Sequence, residues 1–332
     1  MKRGDILIGI GAGLVSAVLF ATVMRASLAA FLLFCLTPLP IAIISLGWDH
    51  RAGLVASAVA ALAVGLVFDP LDGVAFAVAF ALPVWWLAFL ALLARQGPAT
   101  AAPASAMPDK QWYPLGWLAI WAAGLSVLLT LGGALMRGPD YETYRSSIQN
   151  LVQGALEGSF AGGIDELPGL GATVLSAERI ARIVAAVIVP SSAAASTLLT
   201  LVIMLVAAKL VSLSGRLPRP LPRIARDFVL PRAALIGLAG SAALAPLPGW
   251  PRFVAIAVAA TIAILLAMQG LATAHVLVAR IPARPLILGV GYAMLVVAEP
   301  WMIVGFALLG LVEMAISLRA RSLARSARPT LH

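Results

Sequence analysis

Stretches of about twenty apolar residues, cut by short polar loops, leave this chain few folds to choose from. The first runs from Ile6 to Met24. Others follow at Ser27–Leu46, Ala52–Phe68, Val74–Ala94, Leu115–Met136, Ser191–Val211, Val229–Ala245, Phe253–Val278, Leu286–Ala298 and Trp301–Leu318. A helix of about 20 such residues matches the hydrocarbon core of a bilayer, and a soluble domain has nowhere to bury so many. Of 332 residues, 62% are hydrophobic and 11% charged, against roughly 45–50% and about 25% in soluble domains. The expected fold class is therefore all-α: a polytopic helical membrane protein with about ten apolar spans. The run at Leu286 is short for a crossing and reads equally as half of a re-entrant hairpin.

Orientation follows from the basic residues. Lys209 to Arg232, a joint between two apolar runs, carries Lys209, Arg216, Arg219, Arg223, Arg226 and Arg232 against one acid, Asp227. Pro218, Pro220 and Pro222 keep a helix from running through it. Such a loop stays on the cytoplasmic side. With the runs alternating and both termini inside, Lys2, Arg3, Arg51, Arg95, Lys110, the joint, Arg280, Arg284, Arg319, Arg321, Arg325 and Arg328 all fall inside. Only Arg25, Arg137, Arg145, Arg179, Arg182 and Arg252 fall outside. The net charge of +9 thus reflects a membrane surface, and nucleic acid is not an expected partner. The expected location is a bacterial inner (cytoplasmic) membrane, with the lipid bilayer as the first partner.

Three segments divide the chain. Residues 1–95 read as a four-span bundle and residues 96–113, rich in Ala, Pro, Ser and Gly, as a cytoplasmic linker. Residues 114–332 form a C-terminal membrane bundle that includes an outer segment, 137–182, and the basic joint, 209–232. In the outer segment Tyr144, Ile148, Leu151, Val152, Ala155 and Leu156 recur at helical spacing, which predicts an amphipathic helix. Pro190 predicts a kink. Trp112, Tyr113 and Trp117 mark a membrane interface.

Few motifs carry chemistry. Gly9-Ile-Gly-Ala-Gly13 lacks the Lys-Ser/Thr of a phosphate loop, and the helical stripe Gly9, Gly13, Ala17, Ala21 reads as a packing face for a partner helix. The lone Cys35 excludes an intramolecular disulfide and a cysteine-cluster metal site, and His50, His275 and His332 are too scattered to suggest a metal. No catalytic residue, cofactor or metal is expected, and the chain reads as no obvious enzyme. Ionisable groups within or beside apolar runs are costly there and mark either helix–helix contacts or a path for solute or ions. These are His275, Glu299 and Glu313. Arg137, Asp140, Tyr144 and Arg145 could receive an anion at the outer end of the fifth run.

Gln269-Gly-Leu-Ala272 with His275, Gly310-Leu-Val-Glu313 ending in Arg319, and Thr37-Pro38-Leu39-Pro40 resemble a family of bacterial membrane proteins typified by YybS. That family is distantly similar to the S components of energy-coupling-factor transporters. The resemblance implies a small-molecule ligand held in a helical bundle, with a membrane coupling subunit and an ATPase as partners. Ten spans exceed the six of an S component, and the outer segment is foreign to one. The expected function is a transporter-like component that binds a small solute from the outer side and takes its energy from partner subunits. The alternatives are an envelope structural or assembly protein without substrate, and a membrane enzyme acting on lipid-linked substrates.

Overall fold

Aspartates and prolines set where the helices begin. Asp49 accepts a hydrogen bond from the Arg51 amide at 3.3 Å, and Asp69 one from the Leu71 amide at 2.9 Å. Each carboxylate meets one of the unpaired amides of a first helical turn, and Pro70 and Pro251 sit where a missing N–H costs nothing.

A computed structural model describes residues 3–25, 27–96, 110–159, 177–299 and 301–327. The elements in order are α1 (Arg3–Ala21), α2 (Leu28–Cys35), α3 (Leu39–Gly47), α4 (His50–Val67), α5 (Pro70–Phe76), α6 (Leu82–Ala91), β1 (Ala94–Gln96), β2 (Lys110–Trp112), α7 (Leu115–Arg137), α8 (Tyr141–Ser159), α9 (Ala177–Ile183), α10 (Val189–Leu213), α11 (Ile224–Asp227), α12 (Ala233–Leu244), α13 (Trp250–Leu277), α14 (Arg284–Val297), α15 (Trp301–Ile316) and α16 (Leu318–Ala327). Two π-helical turns, Ala77–Ala81 and Val184–Ile188, join α5 to α6 and α9 to α10. The only sheet among the described residues is the antiparallel pair β1–β2, where the linker leaves and rejoins the bundle. Most of that linker, 97–109, and outer-segment residues 160–176 lie outside the described residues, as does Arg328.

Seven helical runs are long and apolar enough to cross a bilayer: Arg3–Met24, Leu28–Gly47, His50–Val67, Pro70–Ala91, Leu115–Arg137, Arg179–Leu213 and Trp250–Leu277. They mark the chain as a multi-pass membrane protein. The other three expected runs form shorter helices: α12 with 12 residues, α14 with 14 and α15 with 16. At 1.5 Å per residue these reach roughly 18, 21 and 24 Å, short of a hydrocarbon core of about 30 Å. For α12 the reason is visible. The joint does not stay above the bundle but dips into it. Val229 packs against Gly116 in the first turn of α7, and the Leu230 amide meets Gln269, two turns inside α13.

The chain's turns sort into two groups by contact. In one, Arg216 lies over Trp48 with its guanidinium carbon 4.5 Å from the ring centroid, Arg219 bonds the carbonyls of Ala91 and Tyr113, and Arg319 bonds those of Ala225 and Phe228. In the other, Trp250 donates to the Pro139 carbonyl, and Tyr141, Tyr144, Trp250 and Phe253 stack edge to face. Phe20, Phe34, Phe68, Phe76 and Phe80 form a second aromatic cluster in the N-terminal half.

Glycines set the closest helix pairs. Gly9 and Gly13 are buried against α4: a Cβ on Gly9 would lie 2.8 Å from the Ala52 carbonyl oxygen, and one on Gly13 would lie 2.9 Å from Val59 Cβ. The stripe's partner is therefore a helix of the same chain, with Ala17 and Ala21 only partly buried. Gly270 of α13 meets Gly310 of α15 backbone to backbone, and a Cβ on either would collide with a carbonyl of the other helix, Phe306 or Leu266. Tyr292 reaches back to His275, and Gly291 faces Phe306. These two successive hairpins make α13 and α15 parallel. In lipid, such close backbone approach replaces the hydrophobic drive that holds helices together in water.

Candidate functional site

The ionisable residues singled out in the sequence separate into three places. Glu313 is buried and paired: Arg319 Nε donates to Oε1 at 2.9 Å, and the Arg319 amide to Oε2 at 3.1 Å. Ser317, at φ 52°, takes the left-handed turn that folds Arg319 back onto it. Arg319 Nη1 then donates to the carbonyls of Ala225 and Phe228, while Gln269 accepts from the Leu230 amide and donates to the Gly310 carbonyl. These side chains satisfy the non-helical backbone of the joint where it dips into the bundle, the condition under which such backbone is tolerated at membrane depth. Glu313 therefore anchors the joint and does not stand free in a path. Sequence reasoning missed Gln269 and Arg319 in this role. The signal was the joint's own Phe228–Pro231, an extended segment needing partners.

His275 is half-buried. Its Nδ1 lies 2.9 Å from the Leu271 carbonyl and its Nε2 3.2 Å from the Tyr292 hydroxyl. Glu299 is exposed between α14 and α15. Arg137, Asp140, Tyr144 and Arg145 make separate contacts. Asp140 caps α8 by accepting from the Thr143 amide and hydroxyl, bonds that hold its carboxyl below the usual aspartate range. Arg145 pairs with Glu142 along the surface at 3.4 Å, and Arg137 is exposed. Tyr144 is fully buried and donates to the Ala185 carbonyl at 2.9 Å, and burial pushes its phenol up to about 12. It pins the amphipathic helix α8 to the π-turn before α10.

A cleft of about 250 Å³ lies elsewhere, among the turn before α3, the π-turn Ala77–Ala81, α6, α7 and α10. Four hydroxyls line it: Ser126 and Thr130, one turn apart on α7, and Ser196 and Thr200, one turn apart on α10. Phe80, Pro83, Leu87 and Pro38 supply apolar walls. Each contributor comes from near the middle of its helical run, so the cleft sits at mid-height of the bundle, opening to the surface at Ala79, Ser196 and Leu199. Two of those runs are broken at that level. Pro38 interrupts the passage from α2 to α3, with Leu36, Thr37 and Pro38 in a turn. Pro83 follows the π-turn Ala77–Ala81, because a proline deprives the carbonyl four residues back, Ala79, of its donor. Ala79 itself lines the cleft. Beside Pro38, Thr37 is fully buried and its hydroxyl has no partner among the described residues. Among the described residues no ionisable side chain lines the cleft, so it can hydrogen-bond a small neutral molecule but offers an ion no counter-charge.

Comparison with known protein families, with characterised proteins and with solved structures gives no match.

Proposed function

We propose that this chain is a transporter-like component of a bacterial inner membrane that binds a small, neutral, hydroxyl- or amide-bearing solute in the central cleft. The observation that carries this reading is the quartet Ser126, Thr130, Ser196 and Thr200 on two facing helices, set where two neighbouring runs are broken. Discontinuous helices at mid-bundle are a recurrent setting for transporter sites, since freed backbone groups can then face a cavity. About 250 Å³ is small against the roughly 300–1,000 Å³ of drug-sized pockets, which favours a compact solute. The solute enters from the outer side. Both termini and the basic joint are cytoplasmic, a reading supported by the Lys/Arg distribution and by the contacts that gather the predicted inner loops into one group. The sequence has no Walker motif, so an ATP-driven cycle takes its ATPase from partner subunits.

The test is mass spectrometry of small molecules carried through purification from native membranes. Wild type is expected to carry a compact neutral compound that Ser126→Leu and Thr200→Leu lose while remaining folded. Wild type and both variants carrying the same molecules, or none, overturns the assignment.

A further inference from the structure

A second concavity opens on the surface, between the β1–β2 hairpin and α7. It has a volume of about 990 Å³ and is lined by Arg95, Trp112, Tyr113, Trp117, Trp121 and Gly124, among others. Its two ends differ chemically. At the hairpin end stands Arg95, exposed, and among the described residues no carboxylate lines the groove. Tyr113 accepts a hydrogen bond from Trp121 Nε1 at 3.1 Å, and its own carbonyl receives Arg219 at 3.0 Å. Accepting that bond leaves the phenol proton available to donate to a ligand. At the other end Gly124 leaves the floor open, since a Cβ there would have no neighbour within 4 Å. From Leu115 to Gly124 the groove descends roughly 14 Å at 1.5 Å per residue, about half of a 30 Å hydrocarbon core. Trp112, Tyr113 and Trp117 at its mouth are the residues that settle at the headgroup level.

A basic, hydrogen-bonding mouth above an apolar trough one leaflet deep matches one ligand class. We propose that this groove is a specific site for a single anionic glycerophospholipid. Its phosphate sits at Arg95 and the Tyr113 hydroxyl, and one acyl chain lies along Trp117, Trp121 and Gly124. The charge at the mouth selects the headgroup, and the aromatic walls hold the chain. The site is separate from the central cleft and stands whether or not the cleft binds a solute.

Native mass spectrometry of the full chain in detergent, with added phosphatidylglycerol or phosphatidylcholine, tests it. Wild type is expected to retain one phosphatidylglycerol in preference to phosphatidylcholine. Arg95→Gln should weaken that retention roughly fivefold, and Gly124→Leu should abolish it by filling the trough. Arg223→Gln, on the exposed joint, should leave it unchanged. Trp117→Ala replaces Gly124→Leu if thermal unfolding shows the latter misfolded. Equal retention of the two lipids, or retention in Arg95→Gln equal to wild type, overturns the proposal.

Discussion

Glu313 illustrates how a residue can be prominent in the sequence for one reason and present for another. A carboxylate inside an apolar run suggests a path for ions, but here it holds Arg319, which holds the joint. Removing one member of a buried pair strands the other charge, at a cost of about 3–5 kcal/mol. Glu313→Ala should therefore lower thermal stability in detergent sharply. Arg319→Lys should not preserve it, because an ammonium cannot reach Glu313 and two carbonyls together in the planar geometry of a guanidinium. A Glu313→Ala protein that melts with wild type would remove the anchoring role. Tyr144 works on the opposite side of the bundle. Tyr144→Phe leaves the Ala185 carbonyl without its donor and should cost about 1–3 kcal/mol. The phenol's folded pKa, about 12, lies above its ordinary value near 10, so between about pH 10 and 12 the folded state holds a proton that the unfolded state has lost. The stabilisation is full below pH about 10 and fades as pH climbs toward 12. Alkaline melting curves should fall more steeply for wild type than for Tyr144→Phe; parallel curves would contradict the burial.

Among helices, the distances between backbones decide which substitutions are tolerated. Gly13→Leu should destabilise the purified protein, because the leucine would have to displace Val59 and the Ala56 carbonyl of α4. Stability equal to wild type, with a co-purifying partner lost, would instead place the stripe on another subunit. Gly270→Ala and Gly310→Ala should each be severe, since both new methyls meet backbone that cannot swing aside. Gly124→Ala, facing open space, is the matching control, and its melting temperature should stay near wild type. The glycine spacing on α1 was legible as a stripe because it repeats within one helix. The Gly270–Gly310 contact was not, because neither helix carries a four-residue glycine repeat and only the crossing brings the two glycines together. The sequence did single out both motifs, Gln269-Gly-Leu-Ala272 and Gly310-Leu-Val-Glu313, without any reason to set one against the other.

For the whole molecule, the testable quantity is sidedness. In a Cys35→Ala background, a cysteine at Leu221 should react with thiol reagents only from the cytoplasm, and one at Leu247 only from outside; both positions are exposed. Labelling of Leu221→Cys by an impermeant reagent from outside would invert the arrangement. The same probes belong at Ser105 and Asp165, in the linker and the outer segment, which lie outside the described residues. The three short helices matter at this scale. A chain with seven long runs and three short ones places its ends by how the short ones lie. The contacts of Leu230 with Gln269 and of Trp250 with Pro139 show α12 joining one group of turns to the other.

Helical class and the membrane environment were decided by the sequence alone, because apolar run length and hydropathy are local properties that a bilayer reads directly. The charge asymmetry of the loops is local in the same sense, and the orientation expected from it needed no fold. The amphipathic helix α8 and the irregularity before Pro190 were also legible, since apolar spacing and a proline act on their own stretch of backbone. The cleft was not legible. Ser126, Thr130, Ser196 and Thr200 look like ordinary small polar residues of apolar helices until α7 and α10 face each other beside two broken neighbours. The role of Glu313 was likewise decided by tertiary structure. A charge's meaning in the membrane depends on its partner, and Arg319 becomes that partner only after the left-handed turn at Ser317 and the descent of the joint into the bundle.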